Sequence, residues 1–259
     1  MQRAIAVIAA TLLAAPLFAA AAPATPSADD IIAKNVEARG GAARLKAIAV
    51  LKRRGRVVIP GANLELTLTE WKTRGGAYRT DVTLQGLTAI QAYDGHEAWQ
   101  VDPFEGRKDP ARMSADEAKE FQLDADFEGP FVDYRAKGHA VEYLGLEDID
   151  GTPAHKLRVR LKWGDEATYW IDPDTWMVIR ELDRRTVRGA EQLVETDYGE
   201  YERVGGVYVP MSEEQGAKDS DPARRQKAVF DAAEANVAVP PALFSFPQAT
   251  PQPVAEVRP

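Results

Sequence analysis

The sequence predicts a mainly β protein built on one antiparallel sheet that curls around helical material. Three observations lead there. Short runs of alternating apolar and polar residues recur from about residue 50 onward. Turn pairs such as Pro60-Gly61, Gly75-Gly76, Asp94-Gly95 and Gly205-Gly206 separate those runs at regular spacing, which favours a meander of hairpins over βαβ units. One long interruption, residues 114–138, carries helical spacing instead.

The chain opens with Arg3, an apolar run from Ala4 to Phe18 and then alanines, the pattern of a secretory signal peptide cleaved near Ala21. The run is short of the about 20 residues of a membrane span. Pro23 and Pro26 read as a lead-in. Ser27 then caps a predicted helix with acidic residues in its first turn, an apolar stripe at Ala28, Ile31, Ile32 and Val36, and a stop at Gly40-Gly41.

Strand patterns follow near 50–59, 63–74, 77–84, 87–93, 97–101, 139–147, 156–164, 166–171, 176–187, 191–202, 206–215 and 225–234. In 156-KLRVRLKWG-164, Leu157, Val159, Leu161 and Trp163 alternate with basic residues, as in a half-buried strand with one wet face. Asp172-Pro173-Asp174 separates two such runs. Proline sets the backbone for a turn and the aspartates bond nearby amides, so the triplet reads as a hairpin turn and not as catalytic carboxylates.

The interruption begins with Ser114 and Glu117 at capping-box spacing, with Ala118, Phe121 and Ala125 on one face and Leu123 and Phe127 beside it. Gly129-Pro130 ends it before Phe131 to Tyr134. It reads equally as a helix covering the end of the sheet or as an aromatic lid over an apolar cavity. Val239, Leu243, Phe244 and Phe246 are expected to dock on the body. The Pro-rich residues 248–259 are expected to be disordered, leaving one domain over 22–247.

Several functions are excluded by what the chain carries. Its net charge of −8 becomes more negative once Arg3 is cleaved away, which opposes nucleic-acid binding. It has no cysteine, so neither disulfides nor a lipid-acceptor thiol are available. The three histidines His96, His139 and His155 have no metal-ligand spacing, so no metal site is expected. No nucleophile elbow or phosphate loop appears, so catalytic residues are none and no cofactor is implied. Trp71, Trp99, Trp163, Trp170 and Trp176 spread over the strand patterns and read first as packing residues. An exported chain with a sheet curled over a possible greasy pocket suggests a carrier of apolar ligands.

At this level the sequence resembles the LolA/LolB-like superfamily of periplasmic lipoprotein carriers, in its outer membrane lipoprotein-sorting branch. The resemblance rests on the order of several marks along the mature chain. They are Glu37 to Gly41, Tyr93-Asp94-Gly95 with Ala98-Trp99, Asp126 to Pro130, Val141 to Gly145, Tyr169 to Asp172, and Tyr198 to Pro210 with Gly205-Gly206-Val207. It implies an unclosed β-barrel of about eleven antiparallel strands with a helical lid. Its cavity would hold the acyl chains of a lipoprotein or lipid, received from a membrane-bound donor and passed to an acceptor by a soluble monomer in the periplasm. The functional arginine of the best-known carriers falls on Arg74, with Gly75 where they have proline; by itself Arg74 also reads as a surface residue beside a turn. The ligand contacts expected are Trp71, Arg74, Trp99, Phe121, Phe127 and Phe131. An envelope sensor of the same fold and a hydrolase with an unmarked acidic pair are the rivals, and raised carboxylate pKa values deep in the cleft would favour the hydrolase.

Overall fold

The computed structural model describes residues 25–247 apart from Arg188. The signal peptide and the Pro-rich tail expected at the two ends lie outside the described residues.

The expected first helix forms as α1 (Ala28–Ala38). Ser27 and Asp30 satisfy each other reciprocally: the Ser27 hydroxyl accepts from the Asp30 N–H at 3.2 Å, and the Asp30 carboxylate accepts from the Ser27 N–H at 3.0 Å. Ile31 and Ile32 are buried on its inner face. The helix stops at Gly40, whose φ is +117°. A Cβ there would lie 2.6 Å from the Gly206 carbonyl oxygen, so only glycine lets the helix end meet the turn 204–207. A short helix, α2 (Ala42–Ala47), follows and was not apparent in the sequence pattern.

Thirteen strands occur among the described residues, against the eleven or so implied by resemblance. The first six are β1 (Val50–Ile59), β2 (Leu64–Thr73), β3 (Tyr78–Leu84), β4 (Leu87–Tyr93), β5 (Ala98–Asp102) and β6 (Arg107–Arg112). After the interruption come β7 (Ala140–Ile149), β8 (Thr152–Arg160), β9 (Glu166–Ile171) and β10 (Val178–Val187). The last three are β11 (Ala190–Val204), β12 (Val207–Ala217) and β13 (Gln226–Ala235). Strand β6, with the sequence RKDPAR, has no apolar alternation and contains Pro110; both features suit an edge strand and hide it from a pattern search. The alternation read over 156–164 overran its strand. Leu161 N–H donates to the Asp165 carbonyl at 2.9 Å, which puts Trp163 in a turn. Trp176 also sits in a turn, so three of the five tryptophans lie on strands.

Every strand pairs antiparallel with its sequence neighbours, except that β6 and β7 are the two free edges and β1 pairs with β13 in the middle. The sheet is therefore a meander that is not closed. Among the described residues, its only seam between distant parts of the sequence is β1–β13. The register shifts there between Arg54 and Gly55, and a Cβ on Gly55 would come within 1.9 Å of the Val229 carbonyl oxygen.

The Asp172 turn forms as read. One Asp172 carboxylate oxygen accepts from the Asp174 N–H at 3.1 Å, the Thr175 N–H at 2.6 Å and the Thr175 hydroxyl at 2.8 Å. The segment joining the two free edges, residues 113–139, carries α3 (Ala115–Ala118) and α4 (Glu120–Asp124) and packs on the sheet's inner face. Three separate apolar clusters result. Ile31, Ile32 and Phe131 meet β8 and β9; Leu45, Ile48 and Val132 meet β1, β2, β12 and β13; Ala118, Phe121 and Ala125 meet β4 and β5. The C-terminal docking also holds: Phe244 is buried, and Phe246 lies edge-on to Trp99 at 6.2 Å.

Candidate functional site

Between the three clusters lies a cavity of about 320 Å³, within the size range of ligand pockets. Its roof is the edge-to-edge segment. Ser114 and Glu117 form the expected capping box that starts α3. Phe121 then packs on Tyr78 at 5.7 Å and Tyr93 at 6.3 Å, and Phe131 meets Tyr169 edge-on at 5.1 Å. Two arginines tie the roof down. Arg39 donates to the carbonyls of Glu128 and Phe127 at 2.6 and 3.0 Å. Arg74 forms an ion pair with Glu128 and donates to the carbonyls of Leu45 and Ile48 at 2.7 and 3.0 Å.

The floor is the inner face of the sheet, and it is polar. Side chains two apart share a strand face, so Glu181, Asp183 and Arg185 of β10 all project into the cavity. Glu181 accepts from the Tyr169 hydroxyl at 2.8 Å and the Tyr198 hydroxyl at 2.6 Å. Burial raises its pKa to about 7, against the pull of those two hydroxyls. Burial likewise raises Asp183 to about 6, although Arg185 works the other way. Asp124, on the roof, is also pushed upward by burial. The same enclosure, reinforced by the negative charge of Glu181, holds the phenols of Tyr169 and Tyr198 well above their usual range.

Beside these groups Arg53 is buried among partners. It donates to Glu70 at 2.8 Å, Glu213 at 2.6 Å and the Pro210 carbonyl at 2.8 Å, with its guanidinium 3.7 Å from the centre of the Phe230 ring. Burial opposes the charge on Arg53, but the two carboxylates outweigh it and hold the guanidinium above its ordinary value. Glu70 is held below the usual carboxylate range, because Arg53 and Lys72 overcome its burial.

The residues expected from sequence divide three ways. Phe121, Phe127 and Phe131 line the cavity. Arg74 lines a second cavity of about 550 Å³, and Asp126 and Phe127 form the wall that the two cavities share. Trp71 and Trp99 line neither and lie on the opposite face of the sheet. Trp71 alternates with Glu70 and Lys72, which face inward, and Lys52 and Arg79 approach its ring at 5.5 and 6.0 Å. Trp99 donates its indole N–H to the Phe244 carbonyl at 2.8 Å beneath the C-terminal segment. The expectation of an apolar cavity is corrected as well. Aromatic and aliphatic groups such as Phe121, Leu123 and Val209 share the lining with acids and bases. Sequence reasoning missed Arg53, Glu181, Asp183, Tyr198 and Glu213; the available signal was Glu-x-Asp-x-Arg at period two in a strand with no apolar face. No three His, Asp or Glu side chains converge as metal ligands among the described residues.

A curled, unclosed sheet with a helical segment tied across a central chamber defines a class of fold, and solved structures share it. A LolA superfamily protein of Nitrosomonas europaea superposes with a TM-score of 0.54 at 12% identity, over 85% of this chain and 98% of that one. A domain assigned as an outer membrane lipoprotein-sorting protein, from Vibrio parahaemolyticus, gives 0.53 at 9% identity over 83% and 95%. A DUF1329 family protein of Desulfovibrio piger gives 0.55 at 12% identity over 83% and 95%. The fold is LolA-like. No protein-family model matches the chain, and neither does any curated protein.

Proposed function

We propose that the protein is a periplasmic carrier that encloses the acyl chains of a lipid or lipoprotein for transfer toward the outer membrane. One observation carries this reading: residues 113–139 run from one free edge of the sheet to the other and roof a chamber with Phe121, Phe127 and Phe131 on its ceiling. Shielding an acyl chain there stabilises it by about 0.8 kcal/mol per buried CH₂. Arg39 at the end of α1 and Arg74 after β2 reach the roof at Phe127 and Glu128, while its buried Phe121, Phe131 and Val132 anchor it over the chamber. Membrane-bound donor and acceptor proteins would load and empty it. Native mass spectrometry of the protein purified from periplasm tests the reading: a co-purifying acylated species is expected. Mass of the bare polypeptide alone, with no uptake of fluorescent alkyl probes of any headgroup charge, would overturn it.

The enclosed carboxylates favour one second reading, a hydrolase in which Glu181 acts as acid and base near neutral pH. Turnover of chromogenic esters or glycosides that Glu181→Gln abolishes would establish it in place of the carrier.

A further inference from the structure

The cations on the lining of the chamber are already engaged. Arg39 is bound to roof carbonyls, and Arg53 to Glu70 and Glu213. Lys72 lies 3.7 Å from Glu70, and Arg185 lies 3.7 Å from Glu120 and 3.5 Å from Asp183. Two carboxylates are left over. Among the described residues, Glu181 has only tyrosine hydroxyls as partners. Asp124 makes no hydrogen bond and no ion pair among the described residues, although Lys72 and Arg185 are near enough for their charges to act on it. Its position reinforces the point. Asp124 has protein packed densely around it, yet its own surface is exposed and it lines the chamber. Glu181 and Asp124 are close enough that ionisation of one disfavours the other. A carboxylate-headed ligand would therefore meet occupied bases and two free acids, and a neutral one would leave both acids uncompensated in an enclosed site.

We infer that the chamber selects a cationic amphiphile: an aliphatic chain ending in a protonated amine, with the amine between Glu181 and Asp124 and the chain under Phe121, Phe127 and Phe131. The inference rests on the carrier reading and supplies the chemistry of its ligand. An ammonium group has three donors, suited to two carboxylates and a neighbouring tyrosine oxygen.

The test is calorimetric titration of the unmodified protein at about pH 8 with three twelve-carbon probes below their aggregation limits: dodecylamine, dodecanoate and dodecanol. Dodecylamine should bind tighter than either of the others by roughly tenfold or more, the scale of one charge-assisted hydrogen bond. That advantage over dodecanol should shrink in Asp124→Asn and again in Glu181→Gln. Equal binding of the three probes, or a preference for dodecanoate, overturns the inference and leaves the carrier reading standing. An amine preference that survives both substitutions overturns the assignment to these residues. Failure of all three probes to bind overturns the carrier reading and the inference with it.

Discussion

Glu181 is the residue on which the chamber's electrostatics turn. Its carboxyl is raised from the ordinary 4.5 to about 7, so the folded state holds a proton that the unfolded chain has released. The resulting destabilisation is full above pH 7, fades as the pH falls from 7 toward 4.5 and is absent below that. Glu181→Gln keeps a carbonyl acceptor for one tyrosine hydroxyl, turns an amide N–H toward the oxygen of the other and removes the charge. It should raise stability at pH 8 by up to about 3 kcal/mol and by less than about 1 kcal/mol at pH 5, as read from urea denaturation at both pH values. Asp172 has the opposite character. It lies at an exposed hairpin and works as an acceptor for three donors, which an asparagine oxygen also supplies. Asp172→Asn should be nearly neutral, whereas Asp172→Ala should cost about 1 kcal/mol by chemical denaturation. Loss of ligand binding in a fully stable Asp172→Asn protein would show that the turn reading misses a role.

At the scale of elements, the roof segment combines the two expectations drawn from its sequence. Part of it is fixed structure. Phe121 is buried with Tyr93 and Ala98, and replacing it with alanine should cost about 3–5 kcal/mol, a fall of roughly 10 °C in melting temperature. Part of it borders the cavities. Phe127 is half-buried on the wall between them, so Phe127→Ala should cost less stability and speed the uptake of a fluorescent alkylamine. The two substitutions separate the roles: equal losses of stability with unchanged uptake would make the whole segment a plug. The interruption, its capping box and its aromatic residues were legible in sequence, because capping and helical spacing are local. Where it lies was not, since that depends on the two sheet edges it joins.

For the whole molecule, the β1–β13 seam is decisive. It alone joins the strands before the roof to those after it, and it closes over a long stretch of chain. Gly55 sits at its register shift with the Val229 carbonyl where a side chain would begin. Gly55→Ala should therefore lower the melting temperature by about 10 °C or more, or leave too little folded protein to measure. A substitution tolerated without a shift would mean that the seam is looser than its register implies. The two chain ends reinforce the same body. The α1 end is pinned by the Tyr208 N–H donating to the Arg39 carbonyl at 2.9 Å, and the C-terminal segment covers Trp99.

What the sequence determined by itself is what neighbours along the chain decide. Period-two runs, Gly and Asp turns, and the Ser27 and Ser114 caps need only a few adjacent residues, and apart from the end of β8 they appear in place. Strand β6 escaped because an edge strand needs no apolar face, and the end of β8 was misjudged because apolar alternation continued into a turn. Only the tertiary structure decided which face of a strand without an apolar side is the inside. In β10, Glu181, Asp183 and Arg185 look outward by composition, yet the curl of the sheet turns them into the chamber. In β2 and β5, Trp71 and Trp99 look like lining and instead face away, one beside basic side chains and the other beneath the C-terminal segment. Periodicity says which residues share a face; only the curvature of the sheet and what covers it say which face lines the chamber.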